Sequence, residues 1–252
     1  MKRPEGKILI FRTREELYDF LIKKWKEISG KTIKERGFFT VVLSGGESPV
    51  EFYQRLADFK NFFPWSNTHI FLADERFVPF EHPDSNYGMI RKDLLARISL
   101  PPQNVHPIQF YQTPEASAEK YEEDLKMFFN LGKGEFPEFD LILLGIGVEG
   151  HTASLFPGDS ALSETHRLTV AVHLDEERHD RVTLTLPVIN RARQVIFLVS
   201  GEEKSEIMKE VLEKPESNLP ASIVRPVKGE LFFLLDEEAG SLLSQDKTAL
   251  KK

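Results

Sequence analysis

Short runs rich in β-branched and aromatic residues alternate with amphipathic helical stretches along nearly the whole of this 252-residue chain. Parallel strands need a crossover of a dozen or more residues, usually a helix, so the alternation predicts an α/β domain built on a mainly parallel sheet with helices on both faces. Strands are expected over 7–11, 38–44, 68–74, 139–145, 168–173, 181–186, 195–201 and 231–235. Helices are expected over 14–28, 49–59, 86–98, 115–129 and 204–213. Leu141-Ile142-Leu143-Leu144 is continuously apolar, as a strand covered on both faces should be. In the first helix Leu17, Phe20, Leu21, Lys24 and Ile28 share one face, where the Lys can snorkel.

Gly132-Lys133-Gly134 and the segment 215–220 read as loops, which leaves a single domain over 1–244 and a polar tail over 245–252. Apolar residues make up 40% of the chain, enough for one large core or two small ones. A formal charge of −7 argues against general nucleic-acid binding. The absence of Cys excludes disulfides, thiolate nucleophiles and Cys-ligated metals. The apolar stretch Ile8 to Phe11 runs into Arg12, Arg14, Glu15 and Glu16, too short for a signal sequence, and no stretch approaches the ~20 apolar residues of a membrane span. A soluble, cytoplasmic protein is the expectation.

Open α/β sheets bind ligands beyond the carboxyl ends of their strands, and four such ends are unusual here. After the second strand, Ser44-Gly45-Gly46-Glu47-Ser48-Pro49 leads into a helix, with Ser48 suited to the N-cap, Pro49 to the first turn and Glu51 to a capping box. The two glycines either make a tight turn or aim backbone N–H groups at a phosphate or carboxylate. After the third strand, Asp74-Glu75-Arg76 offers a guanidinium fork suited to phosphate, with carboxylates to orient hydroxyls or hold the Arg; a surface ion pair is the plainer reading. The third end, Gly145-Ile146-Gly147-Val148-Glu149-Gly150, matches the dinucleotide fingerprint, but Pro157 and Gly158 would stop the helix that the fingerprint must open. Its glycines instead allow close approach of a ligand, with Glu149 and His151 beside it. At the fourth, Gly201-Glu202-Glu203-Lys204 puts a cation where a helix dipole repels it, consistent with either an anionic ligand or a solvated Lys. His69, His82, His106, His166, His173 and His179 show no zinc-type spacing, so no metal site is assigned.

Taken together, Ser44-Gly45-Gly46 with Ser48-Pro49, Asp74-Glu75-Arg76 with Asp84-Ser85-Asn86-Tyr87, the run from Gly147 to Pro157, Arg181-Val182-Thr183-Leu184-Thr185 and Gly201-x-x-Lys204 resemble the 6-phosphogluconolactonase family, itself similar to glucosamine-6-phosphate deaminases. The resemblance implies a Rossmann-like, isomerase/CoA-transferase-like fold and hydrolysis of 6-phospho-D-glucono-1,5-lactone, with neither metal nor organic cofactor. It implies His151 as general base, with Glu149 and Asp74 in the catalytic group. Ser44, Gly45, Gly46, Arg76, Arg181 and Lys204 are then expected around the phosphate, and backbone amides near Gly147 are candidates for the oxyanion. The family usually has Asp where this chain has Glu149, which keeps the carboxylate and moves it by one methylene. Deaminases typically carry Tyr after Asp-Glu, so Arg76 favours the lactonase branch. The expected partner is a small sugar-phosphate lactone, with no nucleic acid and no membrane, and the expected state is a monomer. An amino-sugar-phosphate deaminase using Asp74, a sugar-phosphate sensor without turnover and a nicotinamide oxidoreductase are the competing readings.

Overall fold

The computed structural model describes residues 6–244 except Glu47, Phe62, Glu176, Glu177 and Pro215, and excluding the side chain of Ser48. The polar tail over 245–252, the start of the loop at 215 and the N-cap assigned to Ser48 therefore lie outside the described residues. The chain begins β1 (Lys7–Phe11), α1 (Arg14–Arg36), β2 (Phe39–Leu43), α2 (Ser48–Asp58), β3 (Thr68–Leu72), β4 (Asp74–Arg76), α3 (Asn86–Asp93) and β5 (Val105–His106). It continues α4 (Pro114–Phe129), β6 (Leu141–Leu144), β7 (Thr169–Val172), β8 (Arg181–Leu184), α5 (Leu186–Ile189), β9 (Gln194–Val199), α6 (Ser205–Glu213), α7 (Pro220–Ile223) and β10 (Glu230–Asp236).

Seven strands form a parallel sheet in the order β1-β10-β9-β6-β2-β3-β5. Its central members β2 and β6 are buried along their whole length, which explains the unbroken apolar sequence of β6; the one polar residue of β2, Thr40, donates its N–H and hydroxyl to Asp140. Phe197 on β9 and Phe233 on β10 stack with centroids 4.8 Å apart, and Trp25 of α1 packs edge-on against Phe39 of β2 at 5.6 Å. Lys24 lays its ammonium 4.1 Å from the centre of the Phe232 ring, so the one cation on the apolar face of α1 is accommodated by its stem and a cation–π contact. Among the described residues no helix is long and apolar enough to cross a membrane.

The structure departs from the expected elements in physically instructive ways. The runs expected at 168–173 and 181–186 do not join the main sheet; β7 and β8 pair antiparallel with each other, and β8 pairs antiparallel with β4. The link between β7 and β8 is too short for a parallel crossover, so a separate three-stranded sheet is the available solution. The expected strand over 68–74 breaks at Ala73, whose N–H donates to Leu43 while its carbonyl accepts from Leu184, and the chain passes from one sheet to the other there. Helix α1 runs through Gly30 to a left-handed cap at Gly37, φ 86°. The stretch expected as one helix over 86–98 is α3 followed by a separate 3₁₀ turn at Leu95–Arg97. Lys204 ends a 3₁₀ turn, Glu202–Lys204, and stands at the N-cap of α6.

Candidate active site

The main sheet reverses its winding between β2, which leads on to β3 and β5, and β6, which leads back to β9 and β10. At such a switch point the loops leaving neighbouring strands diverge and open a crevice. A cleft of about 400 Å³ lies there, within the range of small-molecule sites. Ser44, Gly45, Gly46, Asp74, Arg76, Glu149, His151, Arg181 and Lys204 all line it.

One wall is the loop after β6. No α-helix follows the glycine motif; the chain turns back through Thr152 and Leu155 toward Pro157. The loop is held by its own backbone: Gly147 N–H donates to His151 O and Gly150 N–H to Gly147 O, each at 2.9 Å, while Thr152 Oγ1 donates to Gly145 O. A side chain at Gly147 would overlap the His151 ring, so the glycine is needed for the ring to lie against the loop. The amides of Gly147 and Gly150 are spent inside the loop, which removes them as oxyanion donors in this arrangement.

The His151 side chain is 30% exposed, with Phe156 packed beside the ring at 4.7 Å. Its Nδ1 is buried without a hydrogen-bond partner, Glu149 Oε1 standing 3.6 Å away. Burial pushes the imidazole pKa below its ordinary value; Glu149 and Asp74 oppose that shift, and Arg181 and Lys204 reinforce it. Burial thus favours the neutral form of the ring. Asp74 is buried and accepts a 2.6 Å hydrogen bond from Ser154 Oγ.

The same cleft also carries a cationic group. Pairing of β4 with β8 sets Arg76 directly across from Arg181. Like charges in that register are unfavourable unless an anion joins them. Neither is paired with a carboxylate among the described residues: Arg76 Nη1 donates to Asp84 O at 2.7 Å, and the buried Nε and Nη1 of Arg181 have no partner. Burial, reinforced by Arg76, lowers the pKa of Arg181. Lys204 likewise has no acidic partner among the described residues. Gly45 lies against the Asn86 amide, where any side chain would collide, and the unpartnered Asn86 Oδ1 is buried beside it.

Two expectations change. Glu75 does not face a ligand; its carboxylate accepts from the N–H groups of Arg76, Asn86 and Tyr87 and from Ser85 Oγ, fastening the start of α3. Burial nonetheless pushes its pKa up to about 7. Ser44 lines the cleft, but its hydroxyl donates to Leu143 O at 2.8 Å, tying β2 to β6 rather than offering a proton to a ligand.

The family model described as glucosamine-6-phosphate isomerases/6-phosphogluconolactonase matches residues 12–233. The chain belongs to this family. A relative from Synechocystis, described as 6-phosphogluconolactonase, is 44% identical over 216 residues, covering 84% of this chain and 88% of its own. A rat protein of the same description is 37% identical over 248 residues, covering 95% and 94%. Among solved structures, 6-phosphogluconolactonase from Trypanosoma cruzi superposes with a TM-score of 0.84 at 31% identity, covering 97% of this chain and 98% of that one. Against this family background, three cleft residues stand out that sequence reasoning did not place in the site. Asn86 and Ser154 lay inside the motifs without an assigned role, and Arg178 belongs to none of the motifs. Arg178 Nη1 is 3.6 Å from Glu149 Oε1, and its guanidinium lies 5.5 Å from the Phe156 ring centre.

Proposed function

We propose that the cleft hydrolyses 6-phospho-D-glucono-1,5-lactone to 6-phosphogluconate, a step of the oxidative pentose phosphate pathway, by general acid/base catalysis. The observation that carries this reading is the division of the cleft lining between an imidazole that burial shifts toward its neutral form and cations without carboxylate partners among the described residues. A phosphorylated lactone has the same division, with a neutral ester at one end and a dianion at the other. Arg76, Arg181, Lys204 and the Gly45-Gly46 backbone at the start of α2 hold the phosphate. His151 takes a proton from water as its oxygen bonds to the carbonyl carbon, then returns a proton to the ring oxygen as the C–O bond breaks. A six-membered lactone already hydrolyses in water, so a positioned base suffices and no acyl-enzyme is required. Glu149 supports the imidazolium as it forms, and Asp74, held by Ser154, adds negative potential to the same ring.

The deciding experiment follows hydrolysis of freshly made phosphogluconolactone over time, corrected for spontaneous decay. Turnover well above background is expected. Ammonia release from glucosamine 6-phosphate without lactone hydrolysis would assign the deaminase reaction, and ligand binding at the spontaneous rate of hydrolysis would assign a sensor. A cytoplasmic monomer is part of the same proposal, checked by light scattering of the purified protein.

A further inference from the structure

Outside the cleft, one ligand atom each from His82, Asp84 and His179 lie within 4.8 Å of one another. His179 Nε2 is 3.1 Å from Asp84 Oδ2, and His82 Nδ1 is 3.8 Å from the same oxygen. Ligands of a tetrahedral zinc ion, bound at ~2.0–2.1 Å, stand about 3.3 Å apart, so small rotations would bring the three atoms to bonding positions. The Asp84 N–H donates to His82 Nδ1 at 3.2 Å, which makes that nitrogen the unprotonated one, with a lone pair that a cation can take over. The side chains of His82, Asp84 and His179 are 39%, 55% and 31% exposed, open to a hydrated ion.

A second observation marks the place. His179 has φ 58°, one of three non-glycine residues described in the left-handed region. Such strain persists only where the surroundings enforce it, and here it falls on the residue that completes the cluster from 95 positions away. Spacing along the chain could not reveal the set.

We propose that His82, Asp84 and His179 form a binding site for a zinc-type divalent cation, two imidazoles and one carboxylate with water completing the shell. The ion clips the loop after β4 to the loop between β7 and β8. It sits beside the cleft without belonging to it: Asp84 also supplies the carbonyl that holds Arg76, and Arg178 is the neighbour of His179.

The test titrates zinc alone into chelator-stripped, full-length protein by calorimetry. One ion per chain is expected. His82→Gln and His179→Asn should each weaken binding at least tenfold, roughly the lower end of what loss of even an outer-shell partner costs. Asn tolerates the left-handed backbone, so the second variant should melt like the parent without zinc. A hundredfold excess of zinc over Kd should raise the parent Tm by about 5–10 °C and leave the variants unmoved. His151→Ala should bind zinc like the parent. Absence of binding, binding undiminished in both cluster variants, loss of binding in His151→Ala, or a Tm insensitive to zinc would each overturn the site.

Discussion

The two walls of the cleft are made in opposite ways. The His151 wall is local: ring, supporting glycine and Glu149 fall within five consecutive residues, and hydrogen bonds inside the same loop hold them. The arginine wall is assembled from a distance, by an antiparallel ladder that sets Arg76 against Arg181. In the first, burial lowers the pKa of the imidazole, whereas the second leaves buried nitrogens of Arg181 without a partner among the described residues, a cost that the proposed anion would remove. A site can therefore store binding energy in one place and chemical readiness in another, and substitutions should separate the two.

The largest effect should come from the base. His151→Ala is expected to lower kcat by about 10²–10⁴-fold with little change in KM, since it removes a group that acts mainly in the transition state. Steady-state kinetics would break the comparison if KM moved instead.

Next comes the loop that seats the ring. Gly147→Ala should cost about 10²-fold in kcat, because its methyl group displaces the imidazole from the position that glycine allows. Near-parental activity would mean that the ring position is not critical.

On the other wall, Arg76→Ala should raise KM roughly tenfold or more with a smaller change in kcat, as expected for loss of a charge-assisted hydrogen bond. Arg181→Met sharpens the contrast: it should weaken substrate affinity while leaving Tm unchanged or higher, since an unpaired buried charge is removed. A fall in both would make Arg181 a structural residue.

The smallest effect is a shift in pH dependence. Burial lowers the His151 pKa, so kcat/KM should fall on the acid side with a midpoint below the usual ~6.5, where the imidazole becomes protonated. Glu149 opposes that lowering, so Glu149→Gln should move the acid limb to still lower pH. A limb that stays in place would remove Glu149 from the electrostatics of the base.

Much of this was legible in the sequence because parallel sheets announce themselves. Leu141-Ile142-Leu143-Leu144 had to be a strand covered on both faces, and the Gly-rich ends of such strands are where a ligand reaches backbone. The Pro157-Gly158 stop separated the β6 loop from a dinucleotide site for a local steric reason. β5, by contrast, is two residues long and has no periodicity to detect. The transfer of 168–173 and 181–186 to a second sheet depends on which edge is free to pair, which their alternation does not encode. Glu75 looked like a site carboxylate next to Arg76, yet alternation along β4 turns it toward the start of α3.

The chain's own pattern thus determined the α/β layering and the Gly-rich strand ends, with His151 beside Gly147, that line the cleft, since each rests on spacing between near neighbours. Tertiary structure alone decided that Arg76 faces Arg181, that Ser44 is tied to Leu143, and that His82 and Asp84 meet His179. Those contacts join residues about a hundred positions apart, and their energies depend on burial and pairing that exist only after the sheets have formed.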